Sequence, residues 1–304
     1  MSNQHTSDSS VDESANAVVD TWTISRVLST ATTWLLARGE GGRLDAELLL
    51  SEILGLSRIQ LYTNFDKPLT PVERDRYKEL LRRRGGGEPV ALILGWRDFM
   101  RHRFTVTNAT LIPRPDTEIL VEEAIKLASE TPSIRRILDI GTGSGCIAIS
   151  LATALPEAEI SAWDVSPAAL AVARENAERI CAGRIYFEER DCMTAWSDEF
   201  NGWDMIVSNP PYIPEATPLD RSVRDFEPPS ALFGGIDGLK FLRHLMVESL
   251  RAVRPGGCLL MEIGYDQGPV ALELMRENGW EQCRIVKDLA RKDRVVVGRR
   301  ALQG

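Results

Sequence analysis

Apolar positions recur at helical spacing from Thr21 to about Leu94. Ile24, Val27, Leu28 and Ala31 share one face and continue into Trp34 and Leu35. Asp45 to Leu54 is a second apolar-faced segment, closed by Gly55. Thr70 is suited to cap a third helix, with Pro71 at its first position and Glu73 at its third. That helix runs to Arg84 and stops at Gly85-Gly86-Gly87. Residues 20–94 therefore read as a small all-helical domain, expected to recognise the substrate. In 95–112 the pattern changes: Phe99, Phe104, Val106 and Leu111 sit among polar residues, and Asn108 is placed to turn the chain. This predicts a β-hairpin linking two domains.

From residue 113 to 304 strands alternate with helices. The expected strands are Arg136–Ile140, Glu159–Asp164, Arg184–Glu188, Asp204–Ser208, Gly257–Ile263, Glu281–Val286 and Arg294–Gly298, with helices between most of them, such as Pro167–Ile180 and Leu239–Val253. Such alternation implies an α/β domain whose mostly parallel sheet is covered on both faces. The last two strands are joined only by a short stretch around Lys287–Asp293, so they should pair as an antiparallel hairpin. Residues 1–19 are rich in Ser, Asp and Asn, cannot bury enough surface to offset ordering entropy, and are expected to be a disordered tail.

Composition narrows the class. No apolar run approaches the roughly 20 residues that span a bilayer, and the N-terminus does not show the basic-then-apolar layout of a secretory signal. A cytoplasmic protein with no membrane contact is expected. The five cysteines (Cys146, Cys181, Cys192, Cys258 and Cys283) are odd in number and form no CxxC pair, which fits free thiols. His5, His102 and His244 are scattered, so no metal is expected. The formal net charge of -8 argues against a direct grip on nucleic acid, although Asp8, Asp12, Glu13 and Asp20 in the tail supply part of it. Arg82-Arg83-Arg84 reads as a cationic helix end. A monomer is expected.

The chemistry starts where Arg136–Ile140 runs into Gly141-Thr142-Gly143-Ser144-Gly145, followed by a helix. Such a turn lets backbone approach a ligand and aims helix N–H groups at it. Asp164 ends the next strand, where a carboxylate can accept both hydroxyls of a ribose. The pair indicates an adenosine-containing cofactor. The spacing is G-x-G-x-G rather than the dinucleotide G-x-G-x-x-G, and no Walker Lys-Ser or Lys-Thr follows. With Asp139 upstream, the stretch resembles the first motif of class I methyltransferases, D-x-G-x-G-x-G, which implies S-adenosylmethionine. In that class an acid after the third strand accepts the adenine amino group, a role that falls to Asp191, with Cys192 bordering the adenine face.

Ser208-Asn209-Pro210-Pro211-Tyr212-Ile213 follows an apolar strand. Ligands of open α/β sheets sit beyond the carboxyl ends of strands, and two prolines stiffen the loop while offering no N–H donors. The Asn209 side chain and the Pro210 carbonyl can thus present two acceptors to a planar –NH2 group, with Tyr212 as a flat face. N-P-P-Y resembles the motif shared by adenine-N6 and protein glutamine methyltransferases and does not choose between them.

Other segments do choose. Leu111-Ile112-Pro113-Arg114-Pro115-Asp116-Thr117-Glu118 resembles the L-I-P-R-P-D/E-T-E signature of the release factor glutamine methyltransferases. Glu227-Pro228-Pro229-Ser230-Ala231-Leu232, with Gly234-Gly235 and Asp237-Gly238-Leu239, resembles a second family stretch, and Asp288-Leu289-Ala290 through Arg294 a third, with Arg291 where Gly is usual. Gly85 to Gly95 resembles a fourth. The likeness covers roughly residues 22–300. It implies a helical domain followed by a seven-stranded, Rossmann-like class I methyltransferase domain. Gly141, Thr142, Gly143, Ser144 and Gly145 would line the cofactor, and Asp164 would hold its ribose. Asn209, Pro210, Pro211 and Tyr212 would hold a substrate amide, with Asn209 shared between cofactor and substrate. The implied partners are class 1 peptide chain release factors, methylated on the glutamine of their Gly-Gly-Gln motif. A ribosomal-protein glutamine methyltransferase and an adenine-N6 methyltransferase are the alternatives. Cys192 stands where the family has a bulkier apolar or aromatic residue.

Overall fold

The computed structural model describes residues 21–194, 196 and 202–302. The expected tail, 1–19, lies outside the described residues. The chain divides into two compact units between Gly85 and Gly86.

The first unit is helical: α1 (Ile24–Leu36), α2 (Arg43–Leu54), α3 (Arg58–Thr63) and α4 (Pro71–Gly85). Its core is built from the periodic apolar positions, Ile24, Leu28 and Leu35 of α1 against Leu49 and Leu50 of α2, Leu61 of α3 and Tyr77 of α4. The Thr70 cap forms as its spacing predicts: Glu73 accepts from the Thr70 backbone N–H at 2.7 Å, and the Thr70 hydroxyl accepts from the Glu73 N–H at 3.2 Å. The arginine run at the end of α4 splits in role. Arg82 is solvated beside Glu79, whereas Arg84 is buried between Glu40 (3.0 Å) and Asp45 (2.7 Å).

The second unit opens with α5 (Val90–Leu94) and a hairpin of β1 (Trp96–Phe99) and β2 (His102–Thr105). The hairpin turns at Met100-Arg101, with Met100 at φ 51°. Asn108, expected to turn it, lies in a later turn closed by Thr110 N–H to Thr107 O at 3.2 Å. Phe99 and Phe104 are buried in the main core, so the hairpin is packed on this unit.

A 3-10 turn, Pro115–Thr117, leads into α6 (Glu118–Glu130), and the alternating series follows: β3 (Arg136–Ile140), α7 (Cys146–Ala154), β4 (Glu159–Asp164), α8 (Pro167–Cys181), β5 (Ile185–Glu189), β6 (Trp203–Ser208), α9 (Arg221–Arg224), α10 (Lys240–Ala252), β7 (Val253–Glu262), α11 (Gly268–Glu277), β8 (Glu281–Lys287) and β9 (Asp293–Arg299). The sheet order is β5-β4-β3-β6-β7-β9-β8. Strands β3 to β7 pair in parallel, and β9 runs antiparallel to both β7 and β8, as the short connection required. Alternate residues feed opposite layers. Ile137, Met205 and Leu260 join α6, α7 and α8, while Leu138, Ile206 and Leu259 join α10 and α11. The order reverses between β3 and β6, and Ile140 pairs with both Trp163 and Ser208, so the carboxyl ends of β3, β4 and β6 are level. The loops leaving those ends form one rim. Among the described residues no helix is long and apolar enough to cross a membrane.

Candidate active site

The glycine turn leaves β3 with its first two N–H groups, from Gly141 and Thr142, donated to Trp163 O at 2.9 and 3.0 Å. Gly141, Gly143 and Gly145 have φ of 72°, 57° and 82°, a region that costs other residues about 1–2 kcal/mol. Their surroundings differ. A Cβ on Gly141 or Gly143 would meet no protein atom within 4 Å, whereas one on Gly145 would lie 2.9 Å from Ile149 and 3.2 Å from Ala173. Gly141 and Gly143 therefore present bare backbone to open space, and Gly145 lets α7 approach α8. Beneath the turn, Asp139 is fully buried. Its Oδ2 accepts from the Thr142 hydroxyl at 2.6 Å and the Ala148 N–H at 3.3 Å, while Oδ1 has no partner among the described residues. Burial pushes this carboxyl up to about 7.

The turn opens on a cavity of about 530 Å³, lined by Gly141, Thr142, Gly143 and Ser144, and also by Asp164, Asp191 and Cys192. The size suits a nucleoside-sized ligand. Gly145 does not line it. Asp164 is half-buried; its two oxygens accept from the N–H groups of Gly143 (2.8 Å) and Ser166 (2.9 Å), and each keeps acceptor capacity toward the cavity. Burial raises its carboxyl, against those backbone hydrogen bonds. Asp191 accepts the Met193 N–H at 2.8 Å. Cys192 is half-buried, with its carbonyl accepting the Trp196 indole N–H at 3.1 Å, and burial pushes its thiol up to about 12, so it stays protonated near neutral pH. The open glycines and this carboxylate form a cradle that fits S-adenosylmethionine.

Asn209, Pro210 and Pro211 leave β6 along the same cavity. A second hollow of about 280 Å³ adjoins it; Asn209 and Pro210 line both, and Tyr212 lines only the second. Asn209 Nδ2 donates to the Thr117 hydroxyl at 3.1 Å. Neither Asn209 Oδ1 nor the Pro210 carbonyl accepts a hydrogen bond among the described residues. The Tyr212 hydroxyl donates to Glu262 Oε1 at 3.2 Å, and Gln267 Nε2 donates to Tyr212 O at 3.0 Å.

Three of the four family-like segments meet here, with partners that periodicity could not reveal. Buried Glu227 accepts from Arg114 Nη2 at 2.5 Å and from the Ile112 N–H at 3.0 Å, joining the first two segments. Arg294 reaches Asp116 at 3.0 Å and Asp288 at 3.2 Å, joining the first and third. A Cβ on Gly234 would lie 2.5 Å from Pro211 O, and one on Gly238 2.3 Å from Tyr212 O, so both glycines admit the Pro-Pro-Tyr backbone. Thr117, Glu227, Glu262 and Arg294 were not singled out from the sequence for a role. Three of them lie in family-like segments, but Glu262 at the end of β7 carried no local signal.

A parallel sheet reversing between β3 and β6, with an open glycine turn and a carboxylate at the end of β4, defines a class I methyltransferase. Comparison with known proteins carries this further. Residues 26–95 match the family model "PrmC N-terminal domain", and 116–223 match "Methyltransferase small domain". The release factor glutamine methyltransferase of Geobacter sulfurreducens is 44% identical over 281 residues, covering 91% of this chain and 97% of that one. Among solved structures, the release-factor-specific protein-(glutamine-N5) methyltransferase of Alicyclobacillus acidocaldarius is 36% identical over 65% of this chain and 99% of its own, with a TM-score of 0.40. The catalytic domain of hMettl16, solved in complex with an RNA hairpin, shares the fold at 19% identity and a TM-score of 0.50, over 66% of this chain and 76% of its own. The chain belongs to the release factor glutamine methyltransferase family.

Proposed function

We propose that this protein transfers a methyl group from S-adenosylmethionine to the side-chain amide nitrogen of the glutamine in the Gly-Gly-Gln motif of class 1 release factors. The observation that carries the reading is the pair of unclaimed acceptors, Asn209 Oδ1 and the Pro210 carbonyl, on the wall shared by the two hollows. A primary amide offers two N–H donors in one plane, and two fixed acceptors match that pattern. An amide nitrogen is a poor nucleophile because its lone pair is delocalised into the carbonyl. Accepting hydrogen bonds from its N–H groups returns density to nitrogen, and holding it in line contributes several of the roughly 7–11 kcal/mol that orientation supplies at best. Tyr212 lends a ring face in the second hollow.

The cofactor supplies an electrophilic methyl on a sulfonium. Gly141, Thr142, Gly143 and Ser144 would give it close backbone contact, Asp164 would accept its ribose hydroxyls, and Asp191 its adenine amino group, with Cys192 beside the ring. The amide proton leaves after transfer, so no strong base is required. The same reading takes the protein as a cytoplasmic monomer that uses no metal and does not grip nucleic acid directly.

The test incubates the protein with methyl-labelled cofactor, a purified class 1 release factor, its Gly-Gly-Gln glutamine-to-alanine variant, and plasmid DNA. Label is expected on the intact release factor alone. Label on DNA, or equal label on the alanine variant, would overturn the proposal.

A further inference from the structure

The loop after β6 owes its stiffness to its prolines. Pro210 and Pro211 hold their own φ near about -65°, and each restricts the residue before it, so Asn209 and Pro210 are confined to extended backbone. Such a stretch needs pinning only at its ends. At the start, Ser208 pairs with Ile140 across the sheet, and its hydroxyl donates to Ile140 O at 2.8 Å. At the far end stands Gln267. Its Nε2 donates to Tyr212 O at 3.0 Å and to Gly238 O at 3.4 Å, and its Oε1 accepts the Gly264 N–H at 2.9 Å. Two carbonyls and one N–H around a carboxamide admit it in one orientation only.

Gln267 is itself held in place. It is buried just before α11; its N–H donates to Gly264 O at 2.9 Å, and its carbonyl accepts the Ala271 N–H at 2.9 Å as the helix begins. The loop after β6 and the Gly234–Gly238 segment bind each other, through Ile213 N–H to Leu232 O at 3.0 Å and Gly234 N–H to Ile213 O at 2.9 Å. Gln267 ties both of them to the turn between β7 and α11. We propose that Gln267 is a positioning residue whose three hydrogen bonds set the direction of the Pro-Pro-Tyr loop, and with it the aim of the Pro210 carbonyl and Asn209 Oδ1 at the substrate amide. The inference rests on the amide-methylation reading above and adds one residue to it. Gln267 lines neither hollow and acts through Tyr212.

Substitutions separate the parts of this clamp. A methionine at 267 has about the same length and no N–H, so it leaves Tyr212 O and Gly238 O without their donor and frees the peptide plane after Tyr212 to rotate. A glutamate keeps the shape and the acceptor for Gly264, but it sets an ionised oxygen against two carbonyl oxygens and pushes the loop away.

Gln267→Met, Gln267→Glu and a control, Trp280→Phe, test this with the release factor as substrate, above neutral pH so that the glutamate is ionised. Trp280 lies past the other end of α11, and its buried indole N–H donates to Met246 O at 2.9 Å, so Trp280→Phe also removes a buried hydrogen bond. In Gln267→Met, kcat should fall about 10²-fold, the loss that a misplacement of about 1 Å brings. KM for the release factor and cofactor affinity by calorimetry should stay within a few-fold of wild type. Gln267→Glu should be slower still. Trp280→Phe should lower Tm at least as much as Gln267→Met and leave kcat near wild type. Wild-type kcat in Gln267→Met, a Gln267→Glu variant faster than Gln267→Met, an equal kcat loss in Trp280→Phe, or loss of cofactor binding in both Gln267 variants would overturn the proposal. A wild-type protein that leaves the release factor unlabelled would instead sink the underlying reading.

Discussion

Two atoms of one carboxamide face different worlds in Asn209: Nδ2 is bonded to Thr117, and Oδ1 has no protein partner among the described residues. On the proposed function, replacing the side chain with alanine removes one of the two acceptors offered to the substrate amide. By analogy with deletion of one preorganised hydrogen-bonding group, kcat should fall about 10²–10³-fold, with cofactor affinity changed only a few-fold; steady-state kinetics alongside calorimetry checks both. Asp139 makes a second prediction at this scale. Burial raises its carboxyl from an ordinary 3.8 to about 7, so the folded protein holds the proton more tightly than the unfolded chain does. Stability from this group is then fully present at low pH and is lost as pH rises toward and through 7. Between pH 6 and 8 the cofactor-free protein should lose about 1 kcal/mol from this source, and Asp139→Asn should remove that part of the slope in denaturant titrations.

At the scale of elements, the loop after β6 owes its path to a distant segment. Gly238 has φ 74°, and its missing Cβ leaves room for Tyr212 O. Gly238→Ala would put a methyl 2.3 Å from that oxygen and 2.9 Å from Gln267 Nε2. It should cost about 1–2 kcal/mol in backbone strain alone, lower Tm, and reduce kcat at least tenfold while the cofactor still binds. The elements themselves were mostly legible. Glu159–Asp164 has the bounds that its alternation predicts, and Thr70 caps α4 through the spacing that announced it. Three features escaped. α3 is too short to show periodicity, although Ser57 and Gln60 cap it at the same three-residue spacing. β7 starts at Val253 rather than Gly257, because Pro255-Gly256-Gly257 reads as a turn while Val253 pairs with Trp203 across a register shift. The hairpin turns at Met100, a residue with no turn preference.

Across the whole molecule, what the sequence concealed is the set of meetings between remote segments. The glycine turn could be read because its residues lie next to one another, from Asp139 to Gly145. Asp116 is separated from Arg294 by more than a hundred residues, and no spacing rule links them; the same is true of Arg114 and Glu227, whose motifs were visible but whose pairing was not. Every residue lining the larger cavity falls between Ala109 and Leu245. A fragment spanning 86–304 should therefore melt cooperatively and bind S-adenosylmethionine with near full-length affinity, by scanning and titration calorimetry. A folded fragment that fails to bind would assign part of the cradle to the first unit.

The position of Asn209 and Pro210 has a consequence for which guests can react. Both residues line the larger hollow and the smaller one, so on the proposed function a guest in the smaller hollow meets the donor beside Asn209 and Pro210, which favours a thin, flat tip on a slender stalk. Glutamine has that outline. A branched or rounded amine would strike these two residues before its nitrogen came within bonding reach, and selection by outline would then precede any selection by chemistry.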